Sequence, residues 1–204
     1  MSAPPPFKDP EALRAWLRER GTGEGFVASR EHLDGRDFSE LDLSNAEFKG
    51  SVLEGANFRN AGLNGASFIR SNVKGAKFEG AALTGANLDS VLADGVNFSE
   101  CNGAADTSWN RARLKGANFS GLNLRRSKFP EVLLHEADFS GADLSRANLR
   151  GANLTDVDLS GADLYGADLT GTTWRRTRID HATQLAGTVW ESEHDAANDA
   201  AALI

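Results

Sequence analysis

The residues best able to do chemistry in this sequence are carboxylates, and the most regular of them are separated by multiples of five residues. These are Asp138, Asp143, Asp158, Asp163 and Asp168. Carboxylates act as general acids and bases or as metal ligands. Here, however, the spacing comes from a repeat in the chain, so it predicts no catalytic pair. We expect an acidic surface for a partner instead.

The other reactive side chains form no recognisable site. His32, His135, His181 and His194 are scattered, and Cys101 is the single cysteine. No cysteine or histidine pair has the spacing of a zinc site, and no glycine-rich phosphate loop is present. The sequence therefore predicts a protein that is not an enzyme and has no catalytic residue, cofactor, metal or small-molecule substrate.

Basic residues are concentrated just before these acids. Between Arg111 and Lys128 there are six bases and no acid, which predicts a basic belt followed by the acidic stretch; Arg175, Arg176 and Arg178 reverse the sign again. One interpretation is a surface that matches a bipolar partner. The alternative is an ordinary solvated face. The belt consists of Arg111, Arg113, Lys115, Arg125, Arg126 and Lys128.

Composition restricts the functional class. The 204 residues carry a formal net charge of −7, which argues against direct nucleic-acid binding. The start, MSAPPPFKDP, has no apolar signal region, and no stretch has the roughly 18 apolar residues of a membrane span. A single cysteine allows no intrachain disulfide. We expect a soluble cytoplasmic protein with no membrane partner.

The elements that position these side chains follow a period of five, as in GADLSRANLRGANLTDVDLSGADLYGADLT at 141–170. Stepping by five from Leu33 gives an apolar residue each time as far as Phe98. One extra residue restores the register from Ala104 to Ile179, and all thirty positions are apolar. Neither a helix nor a strand has this period.

Each unit predicts a three-residue strand and a corner. Alanine commonly lies two residues before the apolar position, so both point inward while the Asp or Asn between them points outward. Glycine and small polar residues supply the turn.

The phenylalanines predict the number of sides. A coil of four units places Phe38 against Phe58 and Phe78, whereas a coil of three units would place Phe38 against Leu53. Stacking like residues lets the rings pack in columns, which favours a four-sided coil.

The A-(D/N)-L-x-x units over 31–181 resemble the pentapeptide-repeat proteins. The resemblance implies an all-β solenoid, a right-handed quadrilateral β-helix. We divide the chain into an N-terminal segment at 1–30, the β-helix at 31–181 and a C-terminal region at 182–204. The register break near 101–106 predicts a bulge or bend, with a functional loop as the alternative.

Both ends of such a solenoid need covering. Residues 9–20 predict a helix in which Leu13, Trp16 and Leu17 lie on the first coil, with a partner-binding helix as the alternative. At the other end we expect Trp174, Val189 and Trp190 to close the last coil, followed by a short helix at roughly 192–203. A homodimer through this region and a simple cap or frayed end both remain open.

The family resemblance also implies a function. Members that confer quinolone resistance or antibiotic self-immunity are similar to B-form DNA in width and charge, and they bind bacterial DNA gyrase or topoisomerase IV. The five aspartates would stand in for phosphates. The basic belt would oppose such binding.

Two alternatives remain open. The first is a scaffold that binds a different protein through an apolar or charged outer face. Val52, Leu92 and Leu133 should share one side and form an apolar stripe, and Tyr165 should project from a corner. The second is a repeat array without a dedicated binding surface.

Overall fold

The structure is a computed structural model that describes residues 9–21 and 23–190. Its helix, α1, spans Pro10–Arg20. A right-handed quadrilateral β-helix follows, with β-bridges from Val27 to Val189. In the described ranges, no helix has the length and apolar character that crossing a bilayer requires.

One coil of the β-helix consists of four repeat units. Each side contributes a single bridge to the next coil, and the bridges are parallel, as between Asn57 and Lys77. Around that bridge, Phe58 N donates to Lys77 O at 2.8 Å and Lys77 N donates to Ala56 O at 2.9 Å. The same pattern repeats on all four sides, so a coil of three units is excluded.

We number the four sides by the outward residues in their bridges. Face 1 contains Val27, Glu47, Ser67, Asn87, Ser108, Lys128, Asn148, Asp168 and Val189. Face 2 contains His32, Val52, Asn72, Leu92, Arg113, Leu133, Asn153 and Thr173. Face 3 contains Asp37, Asn57, Lys77, Asn97, Asn118, Asp138, Asp158 and Arg178. Face 4 contains Asp42, Gly62, Ala82, Asn123, Asp143, Asp163 and Gln184.

The interior is filled by the apolar residues of the five-residue period. Phe38 stacks on Phe58 with ring centroids 5.1 Å apart and an interplanar angle of 11°. Phe48 stacks on Phe68 at 5.0 Å and 10° in the neighbouring column. Rings of the two columns meet edge to face, as Phe48 and Phe58 do at 83°. Both arrangements are favourable for aromatic pairs, and the predicted columns are confirmed.

Each tryptophan of the β-helix has a threonine two residues before it. Trp109 is fully buried, and its indole Nε1 donates to Thr107 Oγ1 at 2.7 Å. The same contact joins Trp174 to Thr172 at 2.7 Å and Trp190 to Thr188 at 2.8 Å. Threonine replaces the usual alanine two residues earlier because a buried indole N–H needs an acceptor.

The corners depend on left-handed backbone at their second residue. Gly65 has φ +67°, and a Cβ at this position would collide with Asn45 Oδ1 in the previous coil. Charged residues replace glycine at some corners, such as Arg111 with φ 56° and Glu131 with φ 54°. Left-handed backbone costs about 1–2 kcal/mol for residues other than glycine.

The register break is a β-bulge on face 4. Asn102 N donates to Ala81 O at 2.8 Å, while Leu83 N donates to Gly103 O at 3.0 Å. Two residues, Asn102 and Gly103, therefore oppose Ala82. Burial raises the pKa of the neighbouring Cys101 thiol to about 12.

A second one-residue insertion follows face 3 of the last coil. Asp158 bridges Arg178 at the regular spacing of one coil, whereas Asp163 bridges Gln184, one residue beyond that spacing. The period of five in the sequence predicts a single break, near 101–106. The bridges begin before position 31 and continue past position 181, so the β-helix extends beyond the predicted segment 31–181 at both ends.

Helix α1 lies on the N-terminal coil. Asp9 caps it by accepting hydrogen bonds from Glu11 N and Ala12 N, and Gly21 ends it with φ 71°. Leu13 and Leu17 are buried against the core. The helix expected at roughly 192–203 lies outside the described residues.

Candidate functional site

The structure brings four of the five candidate aspartates together. Asp138 bridges Asp158 on face 3, and Asp143 bridges Asp163 on face 4. Neighbouring coils are about 4.8 Å apart, so the four carboxylates form a two-by-two array across one corner. Asp168 lies on face 1 and does not belong to this array.

Each aspartate of the array also helps to build its own corner. Asp138 Oδ1 accepts a hydrogen bond from Ser140 N at 2.8 Å, and Asp163 Oδ1 accepts one from Tyr165 N at 2.8 Å. Asn118 makes the same contact with Ser120 N at 2.9 Å. An amide oxygen and a carboxylate oxygen therefore accept the same hydrogen bond at the corner, and the two side chains differ only in charge.

Arginines in adjacent coils compensate three of the five candidate aspartates. Asp143 lies 3.4 Å from Arg125, and Asp158 lies 3.1 Å from Arg178. Within the described part of the chain, neither Asp138 nor Asp163 has a basic side chain at ion-pair distance. These two carboxylates are the least compensated members of the array.

Asp168 is the third compensated aspartate. Its carboxylate lies 3.3 Å from Arg150. Partial burial by itself would raise the pKa of Asp168, but hydrogen bonds from Thr170 and Arg150 lower the pKa overall. The charged form of Asp168 is therefore favoured, and Thr170 and Arg150 of this chain stabilise it.

The six residues of the basic belt are mostly paired with acids about one coil away. Arg126 Nε and Nη2 lie 2.8 and 2.7 Å from the two carboxylate oxygens of Asp106. Hydrogen bonding from Arg126 lowers the pKa of Asp106. The remaining pairs are Arg111–Glu131 at 2.8 Å, Arg113–Asp94 at 3.1 Å, Lys115–Glu136 at 3.6 Å and Arg125–Asp143 at 3.4 Å.

Lys128 is the member of the belt without such a pair among the described residues. The belt is therefore not a band of uncompensated positive charge. Residues 111–128 contain no acid. The acids that pair with the bases of the belt lie in the preceding and following coils.

Acidic and basic side chains are concentrated at different corners of the β-helix. The corner between faces 3 and 4, together with face 4, carries seven acids against Arg59. With Asp138 and Asp158, which border it on face 3, this set is called the acidic edge. Its other members are Glu40, Asp42, Glu79, Glu100, Asp143, Asp163 and Asp180.

The diagonally opposite corner, between faces 1 and 2, has the opposite charge. It carries five bases against Asp89 and Glu131, and is called the basic edge. Sequence reasoning missed this sorting because it compared charges along the chain. The bases of this edge are Arg30, Lys49, Arg70, Arg111 and Arg150.

The predicted apolar stripe lies on one side of the tube. Val52, Leu92 and Leu133 all belong to face 2, where Asn72 and Arg113 separate them. Leu133 is 52% exposed and Leu92 is 38% exposed. Val52 is half-buried.

Tyr165 is exposed at the corner between faces 4 and 1. In the described ranges, no three His, Cys, Asp or Glu side chains are arranged to hold a metal ion. A cavity of 290 Å³ lies between α1 and the first coil, lined by residues that include Arg14, Leu17 and Leu41.

Comparison with known proteins gives one family and several similar solved structures. Pentapeptide repeats match in eight copies, over residues 37–75, 66–102, 104–132 and 133–171. No curated protein sequence matches this chain. A trypsin-treated form of QnrB1, a plasmid-mediated fluoroquinolone resistance protein, is 23% identical with a TM-score of 0.58, covering 90% of this chain and 91% of QnrB1.

Two further solved structures are similar. HetL, a pentapeptide repeat protein involved in heterocyst differentiation regulation from the cyanobacterium Nostoc sp., is 20% identical with a TM-score of 0.45, covering 86% of this chain and 90% of HetL. A pentapeptide repeat protein of the Arabidopsis thaliana thylakoid lumen is 29% identical with a TM-score of 0.23, covering 65% and 70%. Proteins with such repeats are typically non-catalytic structural or interaction proteins that bind protein partners. This chain belongs to the pentapeptide-repeat family.

Proposed function

We propose that this chain is a non-enzymatic rod whose acidic edge binds a bacterial type II topoisomerase, specifically DNA gyrase. Binding would occupy the positively charged surface that normally holds DNA and protect the enzyme from quinolones or self-made poisons. The observation that carries the proposal is the two-by-two array of Asp138, Asp143, Asp158 and Asp163. Asp138 and Asp163 are the two members of this array without a basic partner among the described residues.

The line of negative charge along the acidic edge supports this proposal. Its nine acids extend over about seven coils, or roughly 34 Å at ~4.8 Å per coil. Three of them, Glu79, Asp143 and Asp158, are paired with arginines of this chain. Within the described ranges, the other six give about one uncompensated charge per 6 Å, which is sparser than the ~3.4 Å between phosphates along one DNA strand.

The basic belt is not expected to repel the positively charged surface of a topoisomerase. Five of its six members are paired with acids of this chain, at 2.7 to 3.6 Å. Paired charges present little net field to a partner. The likeness to QnrB1 supports the fold alone, because the identity is 23%.

Other parts of the proposal concern location and assembly. We infer that the protein works in the cytoplasm as an interaction protein, without direct contact to nucleic acid or membrane. We also infer a homodimer through its C-terminal region, where Trp174, Ile179, Leu185 and Trp190 are only partly buried. Sedimentation should then give twice the chain mass of 21.8 kDa.

The decisive experiment removes charge without removing the corner hydrogen bonds. In the double variant Asp138→Asn with Asp163→Asn, the amide oxygen still accepts the backbone N–H, as it does at Asn118. We expect wild-type protein to bind purified gyrase and restore supercoiling in the presence of a fluoroquinolone. The double variant should bind at least about tenfold more weakly, since close charge pairs contribute more than about 1.4 kcal/mol to some interfaces.

The matched control removes two charges from the corner between faces 2 and 3. Asp34→Asn with Glu54→Gln should bind gyrase as the wild type does. Equal weakening in both double variants would mean that net charge, and not the acidic edge, controls binding. No binding by the wild-type protein would reject the topoisomerase proposal and leave a scaffold for a different protein.

A further inference from the structure

Face 2 carries apolar residues at a regular spacing along the rod. Val52, Leu92 and Leu133 are separated by two coils each, because the bridges connect them through Asn72 and Arg113. Two coils correspond to about 10 Å. An α-helix advances about 10.5 Å over seven residues, so one helix face can match this spacing.

The polar groups between these apolar residues are already engaged. Asn72 Nδ2 donates to Glu54 Oε1 at 2.6 Å, and Arg113 Nη2 donates to Asp94 Oδ2 at 3.1 Å. Both acceptors lie at the corner between faces 2 and 3. The aliphatic stem of Arg113 is thus available as apolar surface within the column.

The basic edge borders the same face on its other side. Arg30 and Arg70 have no acid within ion-pair distance among the described residues. Asp89, one of the two acids there, accepts hydrogen bonds from Ser108 Oγ at 2.6 Å and Asn110 N at 2.9 Å. The other three bases of the edge, Lys49, Arg111 and Arg150, are paired with acids of this chain. Arg30 and Arg70 are therefore the positions of this edge that are complementary to a negatively charged flank.

A shallow depression of 310 Å³ extends along this corner. Gly151 and Gly171 contribute no side chains to it, and Glu131 lies two residues before the exposed Leu133. A side chain from a partner on face 2 can enter this space. The depression is lined by Pro130, Glu131, Arg150, Gly151, Thr170 and Gly171.

We propose that face 2 and the basic edge together bind an amphipathic α-helix of another protein. The helix has a large apolar residue at every seventh position and acidic residues along one flank. Face 2 is opposite face 4, so this surface is separate from the acidic edge. Binding of a partner at one of these surfaces does not require the other surface.

The probe for this proposal is a synthetic helical peptide of about 20 residues, with leucine at every seventh position and glutamate along one flank. We expect its binding to shift backbone NMR signals of face 2 and the basic edge. Leu92→Asp with Leu133→Asp should weaken binding at least about tenfold. Arg70→Glu should weaken it less, and more strongly at low salt.

The matched control is Val27→Asp, which places a charge at an equally exposed apolar residue on face 1. It should leave peptide binding unchanged. Leu92→Gln with Leu133→Gln checks that loss does not depend on introduced charge, and circular dichroism verifies that all variants are folded. Absence of binding, shifts confined to faces 3 and 4, or concentration-dependent self-association through Leu92 and Leu133 would overturn the proposal.

Discussion

At the residue scale, the polar groups inside the tube are the most constrained feature of this molecule. Trp109 needs the hydroxyl of Thr107, and that hydroxyl also contacts Ser127 Oγ at 2.9 Å and donates to Ala104 O at 2.8 Å. A buried polar group without a partner costs about 1–3 kcal/mol. The Thr-x-Trp pair is therefore one structural unit.

We expect Thr107→Val to lower the free energy of unfolding by roughly 1–3 kcal/mol, because the Trp109 indole N–H loses its acceptor while the side-chain volume is kept. Thr107→Ser keeps a hydroxyl and should cost less. Urea denaturation measures both. Equal stability of the valine and serine variants would mean that the indole hydrogen bond contributes little.

Asp180 is a residue whose charge should affect stability as pH changes. Its Oδ1 accepts a hydrogen bond from Gly161 N at 2.9 Å, and this bond, before other contacts, lowers the pKa of Asp180. A carboxyl group with a lowered folded pKa stabilises the fold above its unfolded pKa. That stabilisation is lost as pH falls through the folded pKa.

We therefore expect Asp180→Asn to melt at a lower temperature than the wild type at neutral pH. The difference should shrink between about pH 5 and pH 2, as the wild-type carboxyl becomes protonated. Thermal melts across this range measure the effect. A difference that stays constant with pH would show that the charge of Asp180 has no part in it.

At the element scale, the two insertions show what the period of five can and cannot predict. The first was detectable because a clean run of apolar positions resumes at Ala104. The second was missed because stepping by five from Ile179 lands on Gln184, with few units beyond it. Leu185 and the Thr188-x-Trp190 pair were the available signal.

The bulge at Asn102–Gly103 should be removable. Deleting Gly103 restores an uninterrupted period, so we expect a folded protein that melts within a few degrees of the wild type. Deleting Gly121, also a glycine with positive φ, moves every later apolar residue outward. That variant should lose ordered structure after this point, as limited proteolysis would show. Equal damage from both deletions would contradict the bulge assignment.

At the scale of the whole molecule, contacts between neighbouring coils determine which charges remain available. The sequence predicted the tube, its columns and the sharing of face 2 by Val52, Leu92 and Leu133. It did not predict that Arg111 pairs with Glu131, because adjacent coils were not compared residue by residue. The positions of Asp138 and Asp163 were predictable, but their lack of compensation depends on side-chain geometry.

The most direct test of this architecture is a set of NMR contacts between Phe rings. The four-sided tube predicts nuclear Overhauser effects from Phe58 to Phe38 and Phe78, whose centroids lie 5.1 and 5.2 Å away. It also predicts slow exchange of the Leu63 amide, which donates to Ala82 O at 2.8 Å. Contacts from Phe58 to Val73 in place of Phe78 would indicate a three-sided coil and contradict the assignment of every face.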